Sequence, residues 1–281
     1  MSRILIAGCG YVGGELAFRL AREGHAVFAL RRKEGPLPTG VESVIADLSV
    51  PTSLAVVPEG LDAVVYAASP DERSDAVYEQ TYVMGVRHLQ EVLARRAVAA
   101  ERFLFVSSTA VYAQRDGGWI DEASVTKPVH FSGRRLLEGE KLARSGPGRG
   151  CALRLGGIYG PGRTGLLDRV RRGEALYTSG PPRYTNRIHR DDAAGILHHL
   201  ITGDEPPECL LGVDCAPASE REVQDWLARR LGAPAARPAP RPAGVRNPLA
   251  NRRCSNALLL ARGYRFQFPN WREGYEALLA S

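Results

Sequence analysis

The first half of the chain alternates short apolar runs with stretches of helical periodicity. Ile4-Leu5-Ile6-Ala7 is unbroken and apolar, the pattern of a strand covered on both faces. Leu16, Ala17, Leu20 and Ala21 then recur at three- and four-residue spacing, which predicts an amphipathic helix. The strand pattern returns at 26–30, 43–46, 63–66, 102–106 and 151–155, with a helical stretch over about 74–97 between the fourth and fifth strands. Strands alternating with helices predict an α/β architecture, a Rossmann-type doubly wound parallel sheet. Further on, Leu210-Leu211-Gly212-Val213 reads as a strand, and 220–231 as a helix whose Val223, Trp226, Leu227 and Leu231 face a core. The stretch 233–248 is rich in proline and arginine and lacks periodicity. It reads as an extended connector or lid, with a polyproline ligand for a partner as the other reading.

The junction between the first strand and the first helix is Gly8-Cys9-Gly10-Tyr11-Val12-Gly13. In a GxGxxG turn of this kind, Gly8 permits the tight turn, Gly10 lets a diphosphate approach the backbone, and Gly13 lets helix pack on strand. The unpaired N–H groups of the first helical turn, near Gly13 and Gly14, then face the phosphates, with Tyr11 and Val12 also expected at the cofactor. A dinucleotide is the expected ligand, against a plain structural turn. The second strand ends in Arg31-Arg32-Lys33, where an NAD site usually carries an acid for the ribose 2′-OH. Arg31 and Arg32 suit a 2′-phosphate instead, so NADP(H) is favoured and NAD(H) is the remaining option; a solvated basic loop is the bland alternative. Asp47 and Leu48 follow the third strand, where an acid and an apolar residue suit the adenine. Ala67, Ala68 and Ser69 follow the fourth, small enough for backbone to approach a ligand.

With 281 residues, 44% of them hydrophobic, the chain is long enough for one large doubly wound domain and a smaller appended lobe. No stretch approaches the roughly 20 apolar residues of a membrane span, and the first residues lead directly into a strand, so a cytoplasmic protein without a membrane partner is expected. The five cysteines, Cys9, Cys151, Cys209, Cys215 and Cys254, include no CxxC pair and suggest neither a zinc site nor a disulfide framework. Cys9 reads as a small core residue that borders the ligand. The net charge of +6 is carried almost wholly by arginine, lysine occurring only as Lys33, Lys127 and Lys141. Those arginines form no basic stripe interleaved with aromatics, which favours a small anionic partner over nucleic acid.

Ser107-Ser108-Thr109-Ala110-Val111-Tyr112, Arg154-Leu155-Gly156-Gly157-Ile158-Tyr159-Gly160-Pro161-Gly162-Arg163 and Asn186-Arg187-Ile188-His189-Arg190-Asp191-Asp192 follow the GxGxxG turn in order. In that combination the chain resembles the extended short-chain dehydrogenases/reductases, the NAD-dependent epimerases/dehydratases. The GxGxxG spacing and the C-terminal segments Asn251–Asn256, Gly263-Tyr264 and Pro269–Gly274 resemble the atypical branch typified by the bacterial protein YeeZ. The resemblance implies a Rossmann-type sheet of about seven strands over 1–157, with 187–204 packed on it, and a substrate lobe from 158–186 and 205–281. It also implies cofactor contacts at Ser107 and Gly157, a carbonyl or nucleotide-sugar substrate, and a homodimer.

Family catalysis uses a YxxxK pair, and laying that motif over 128–136 puts Ser132 at the Tyr and Leu136 at the Lys. No shift of register helps, because no Tyr lies between Tyr112 and Tyr159 and no Lys between Lys127 and Lys141. Tyr82 likewise stands where extended members often have Asn. Serine without an adjacent base is a poor proton donor and leucine cannot tune it. Ser108 aligns with the family's catalytic Ser/Thr, while Tyr112 and Tyr159 are candidate replacement donors, each also readable as packing. His130 is a further candidate, otherwise a surface loop residue, and Glu140 stands where family members often have an acid. Thr109, Arg163, Asn186 and Arg187 are candidate substrate contacts, and His189 and Asp192 are read as ties between lobes. An oxidoreductase or epimerase-like enzyme with a nonstandard proton donor is the leading expectation, and a non-enzymatic NADP(H)-binding redox sensor or scaffold protein is its rival.

Overall fold

A computed structural model describes residues 1–96, 100–240 and 250–280. Seven parallel strands form the main sheet: β1 (Arg3–Ala7), β2 (Ala26–Arg31), β3 (Val41–Ile45), β4 (Ala63–Tyr66), β5 (Arg102–Ser108), β6 (Arg149–Leu155) and β7 (Cys209–Gly212). Their order is β7-β6-β5-β4-β1-β2-β3. The chain moves outward from β1 through β2 to β3, then returns to the other side of β1 with β4. That reversal opens a crevice at the carboxyl ends of β1 and β4, where doubly wound sheets bind ligands. Cys209–Gly212, grouped by its position in the sequence with the smaller lobe, is the edge strand of the main sheet, paired with β6.

Helices cover both sheet faces, which is why β1 is apolar throughout. Ile4 and Ile6 point to the face covered by α1 (Tyr11–Arg22), where Leu16, Ala17 and Leu20 are buried. Leu5 and Ala7 point to the other face, against Tyr66, Phe103 and Phe105. The helical stretch after β4 is broken into α2 (Asp75–Glu79), a π turn over Gln80–Met84, and α3 (Gly85–Ala94). Tyr66 explains the break: its hydroxyl donates to the Thr81 carbonyl, and a Cβ on Gly85 would lie 2.4 Å from that hydroxyl. The turn is wound around a phenol that the core strand pushes up from below. Ala97, at the expected end of this stretch, lies outside the described residues. Next come α4 (Phe131–Ser145), α5 (Gly165–Arg171) and α6 (Arg190–Thr202), the last packed beside α1.

The smaller lobe gathers α5, α7 (Glu220–Leu231) and the C-terminal helix Trp271–Ala280 around Tyr159, Val170, Val223, Leu227, Trp271 and Tyr275. The expected apolar face of α7 is present, with Trp226 edge-on to Trp271 at 5.3 Å. Arg237–Ala239, inside the proline-rich stretch read as a loop, pairs as a strand with Leu176–Thr178; residues 241–248 of that stretch lie outside the described residues. Asp192, buried at the start of α6, accepts from the N–H groups of Gln267 and Phe268 and from the Tyr264 hydroxyl. It pins the C-terminal segment to the main body. His189 caps α6 by accepting the Asp191 N–H on Nδ1.

Two buried polar sites carry measurable consequences. Under β5 and β6, Glu140 of α4 receives Arg154 through Nε at 3.0 Å and Nη2 at 2.7 Å, and the Ser107 hydroxyl at 2.6 Å. At the lobe junction, the Asp214 N–H donates to the Arg187 carbonyl and its Oδ1 accepts the Ala216 N–H at 3.1 Å, while Oδ2 is buried without a partner. Burial pushes its carboxyl up to about 7.

Glu140→Ala leaves the Arg154 guanidinium buried and uncompensated, and urea denaturation is expected to show a loss of about 3–5 kcal/mol, whereas Glu140→Leu with Arg154→Met recovers much of it. The native state holds the Asp214 proton more tightly than the unfolded chain does. The site's contribution is therefore full below the unfolded carboxylate range near pH 4 and is lost as pH rises to about 7. Asp214→Asn is expected to raise the melting temperature over wild type at pH 8, by up to about 4 kcal/mol in stability, and to change it little at pH 4. Equal shifts at both pH values would contradict that assignment.

Candidate active site

The cradle is assembled from strand ends. Gly8 adopts φ +98°, and a Cβ there would lie 2.3 Å from the Ala68 nitrogen, so the turn after β1 rests directly on the backbone of Ala67–Ala68 after β4. A Cβ on Gly13 would meet the Gly8 carbonyl at 2.4 Å, which is the close packing of α1 on β1. Gly10 differs: its Cβ direction meets nothing within 4 Å. Gly10 is also the N-cap of α1, which has neither a capping side chain nor an acid in its first turn. The helix therefore presents unpaired N–H groups and its positive dipole end to an open space, as an anion requires.

The two arginines after β2 separate. Arg31 turns inward on its own loop, donating to the carbonyls of Lys33 at 2.7 Å and Gly35 at 3.1 Å, so its fork is used in folding the turn and the expected 2′-phosphate role does not fit it. Arg32 pairs with Asp71 across the crevice at 2.7 Å, with both side chains more than half exposed. An exposed pair of this kind contributes at most about 1 kcal/mol and can exchange for a phosphate. Asp47 bonds the N–H and hydroxyl of Ser49 through Oδ1, and Leu48 gives its carbonyl to His88. Ser69 follows Ala68, Val12 is buried in α1, and Gly157 is exposed at the start of the short strand Gly157–Tyr159 that follows β6.

A pocket of about 190 Å³ opens beside the end of β5. Ser108, Ser132, Leu136, His130, Tyr112 and Tyr82 line it, so the structure brings together six of the residues singled out in the sequence. Tyr78, Arg73 and Arg115 add aromatic and cationic surface beside small or apolar residues such as Ala110 and Val129. The π turn explains the two tyrosines: it faces Tyr78 onto Tyr82 at 5.4 Å and Phe131 at 5.3 Å, with Tyr82 edge-on to Phe105. Ser108 caps the next turn by accepting the Ala110 N–H at 3.2 Å.

Other expected residues are occupied elsewhere. The Tyr112 hydroxyl accepts from Arg154 at 2.7 Å and donates to the Asp121 carbonyl at 2.9 Å; burial pushes its ionisation well above the usual phenol range, so it holds its proton within that network. Ser107 is buried, with its hydroxyl given to Glu140 rather than turned to a cofactor. Tyr159 stacks on Tyr275 at 4.5 Å and its hydroxyl lies against Gly274 in the small lobe, away from the pocket. Asn186 bonds the Arg252 carbonyl and the Cys254 N–H and so braces the C-terminal segment, and Arg187 donates to the Thr185 hydroxyl; neither lines the pocket. The Thr109 carbonyl accepts from buried Arg252. Arg163 lies over the Tyr11 ring at 4.2 Å, at the cradle instead of the substrate pocket, and the Tyr11 hydroxyl donates to the Pro161 carbonyl at 2.9 Å.

Residues 4–204 match the model of the NAD dependent epimerase/dehydratase family. A solved protein of Methylobacillus flagellatus assigned to the NAD-dependent epimerases/dehydratases is 37% identical, with a TM-score of 0.80 over 99% of this chain and 98% of that one. Epimerase family protein SDR39U1 of Bos taurus is 27% identical over 99% of this chain and its own full length. The human SDR39U1 structure, solved with NADPH, shares the fold with a TM-score of 0.79 at 22% identity, covering 99% of each chain. With its strand order, its glycine turn and a family match over most of its length, this chain belongs to the NAD dependent epimerase/dehydratase family.

Proposed function

We propose that the protein binds NADP(H) across the Gly8–Ala68 crevice and reduces or oxidises a small anionic carbonyl compound in the cytoplasm. The observation that carries this reading is continuity: β1, β4 and β5 are successive neighbours, so one crevice runs from the glycine cradle to Ser108. The cradle fits a diphosphate because the one direction left open by its glycines is that of Gly10. The N–H groups after Gly10 would hold the phosphates, Arg32 the 2′-phosphate, and Asp47 and Leu48 the adenosine. NADP(H) supplies or accepts the hydride. The human relative solved with NADPH supports the cofactor choice, and the five free cysteines support a reducing compartment.

The pocket limits the substrate. Its volume of about 190 Å³ is below the roughly 300–1,000 Å³ of sites for drug-sized ligands, and two guanidinium groups line it. A small carboxylate- or phosphate-bearing aldehyde or ketone suits it better than a nucleotide sugar. Ser108, whose oxygen already accepts the Ala110 N–H, keeps its hydroxyl proton to donate to a carbonyl oxygen. Leu136 gives the pocket an apolar wall in place of a lysine. The same leucine, with the Tyr112 hydroxyl committed elsewhere, favours the second reading, a non-enzymatic NADP(H)-binding sensor or scaffold.

Under the enzymatic reading, NADPH is oxidised in the presence of small keto acids or aldehyde acids, faster than NADH. Ser108→Ala is expected to lower kcat about a hundredfold with NADPH affinity unchanged. Absence of turnover across such a panel, with Ser108→Ala silent in every assay, is the result expected of the sensor or scaffold.

A further inference from the structure

Tyr11 is the first residue of α1, and two guanidinium groups lie over its ring, Arg163 at 4.2 Å and Arg190 at 5.5 Å from the ring centre. Arg190 has carboxylate partners, Asp191 at 2.8 Å and Glu15 at 3.4 Å. Arg163 is exposed and has no carboxylate partner among the described residues. Its backbone is set by a tight turn, with the Arg163 N–H donating to the Gly160 carbonyl and Gly160 at φ +147°. A side chain on Gly160 would collide with the Tyr11 hydroxyl and the Arg190 side chain, so that glycine lets the turn approach α1. The Tyr11 hydroxyl fastens the same turn through the Pro161 carbonyl. Stacking on an aromatic face fixes a guanidinium plane without neutralising its charge. The charge therefore remains unmatched beside unpaired helical N–H groups and the open Gly10 side of the turn.

We infer that Arg163, seated on the ring of Tyr11, is the counter-charge for the cofactor diphosphate, closing from the small-lobe side a cradle whose other wall is the N-terminus of α1. This rests on the NADP(H) reading above. Arg163 and Arg32 would then hold different parts of one ligand: the diphosphate, present in both nicotinamide cofactors, and the 2′-phosphate, present in one.

The test is a fluorescence titration of the full chain with NADPH and NADH, with adenosine 2′-monophosphate measured by displacement of NADPH. Arg163→Ala is expected to weaken NADPH and NADH by the same factor, about tenfold, while leaving adenosine 2′-monophosphate within twofold of wild type. Tyr11→Leu, which removes the seat but keeps the charge, should weaken both cofactors in the same ratio. Arg32→Ala should weaken NADPH and adenosine 2′-monophosphate and spare NADH. Melting curves close to wild type confirm that the exposed Arg163 site tolerates its substitution. If Arg163→Ala binds both cofactors as wild type does, or weakens adenosine 2′-monophosphate equally, the clamp is overturned and the NADP(H) reading stands. Wild-type protein that binds neither cofactor would overturn both.

Discussion

The turn after β1 lies directly on the backbone after β4, with no side chain between Gly8 and Ala67–Ala68. Much of the site follows from that contact. It brings the two strand ends at the topological switch point into one surface, and Gly13 sets α1 on β1 so that the helix N-terminus projects over it. Backbone here leaves no room for adaptation: side chains at Gly8 or Gly13 would displace main chain. Gly10, between them, is the position where a side chain would meet no protein atom within 4 Å. A local sequence of six residues thus separates two demands, close packing within the protein and close approach by a ligand.

The pocket beside the cradle is held by different physics. Its Tyr112 wall is tied to Glu140 and Arg154, a buried ion pair that links α4 to β6 and takes up the hydroxyls of Ser107 and Tyr112 through one network. Its outer wall depends on Tyr66, whose hydroxyl holds the Thr81 carbonyl and gives the following helix its π turn. Such turns often mark functional sites because they redirect side chains without ending the helix. Here the redirected residues are Tyr78 and Tyr82. The result is a small pocket with aromatic and cationic walls, one positioned serine hydroxyl, and no lysine to tune a phenol.

The cradle was legible in the sequence because its signals are local: strand, glycine spacing and helix adjoin, and the close packing assigned to Gly8 and Gly13 is what the contacts show. Most of the sheet was legible for the same reason, its central strands being short apolar runs, whereas the edge strand Cys209–Gly212 was readable as a strand but not as a member of this sheet. What was not legible depended on partners far along the chain. Arg31 and Arg32 are adjacent in sequence, yet one folds onto its own loop and the other reaches Asp71. The fate of the Tyr112 hydroxyl is decided by Arg154, and that of Tyr159 by Tyr275 and Gly274. Arg163 belongs with Tyr11, separated by some 150 residues, and no periodicity reports such a stack. The signal that was available is the combination of an aromatic inside the glycine turn and an arginine in a second glycine-rich turn.

The account stands most directly on the claim that Gly10 is kept bare for a ligand and not for the fold. Gly10→Ala, compared with wild type by melting temperature and by NADPH titration, measures this. The account predicts a melting temperature near wild type, since the added methyl meets nothing in the protein, with NADPH affinity reduced about tenfold or more. A variant that binds NADPH as tightly as wild type would contradict it, and the crevice would then have to take its ligand elsewhere.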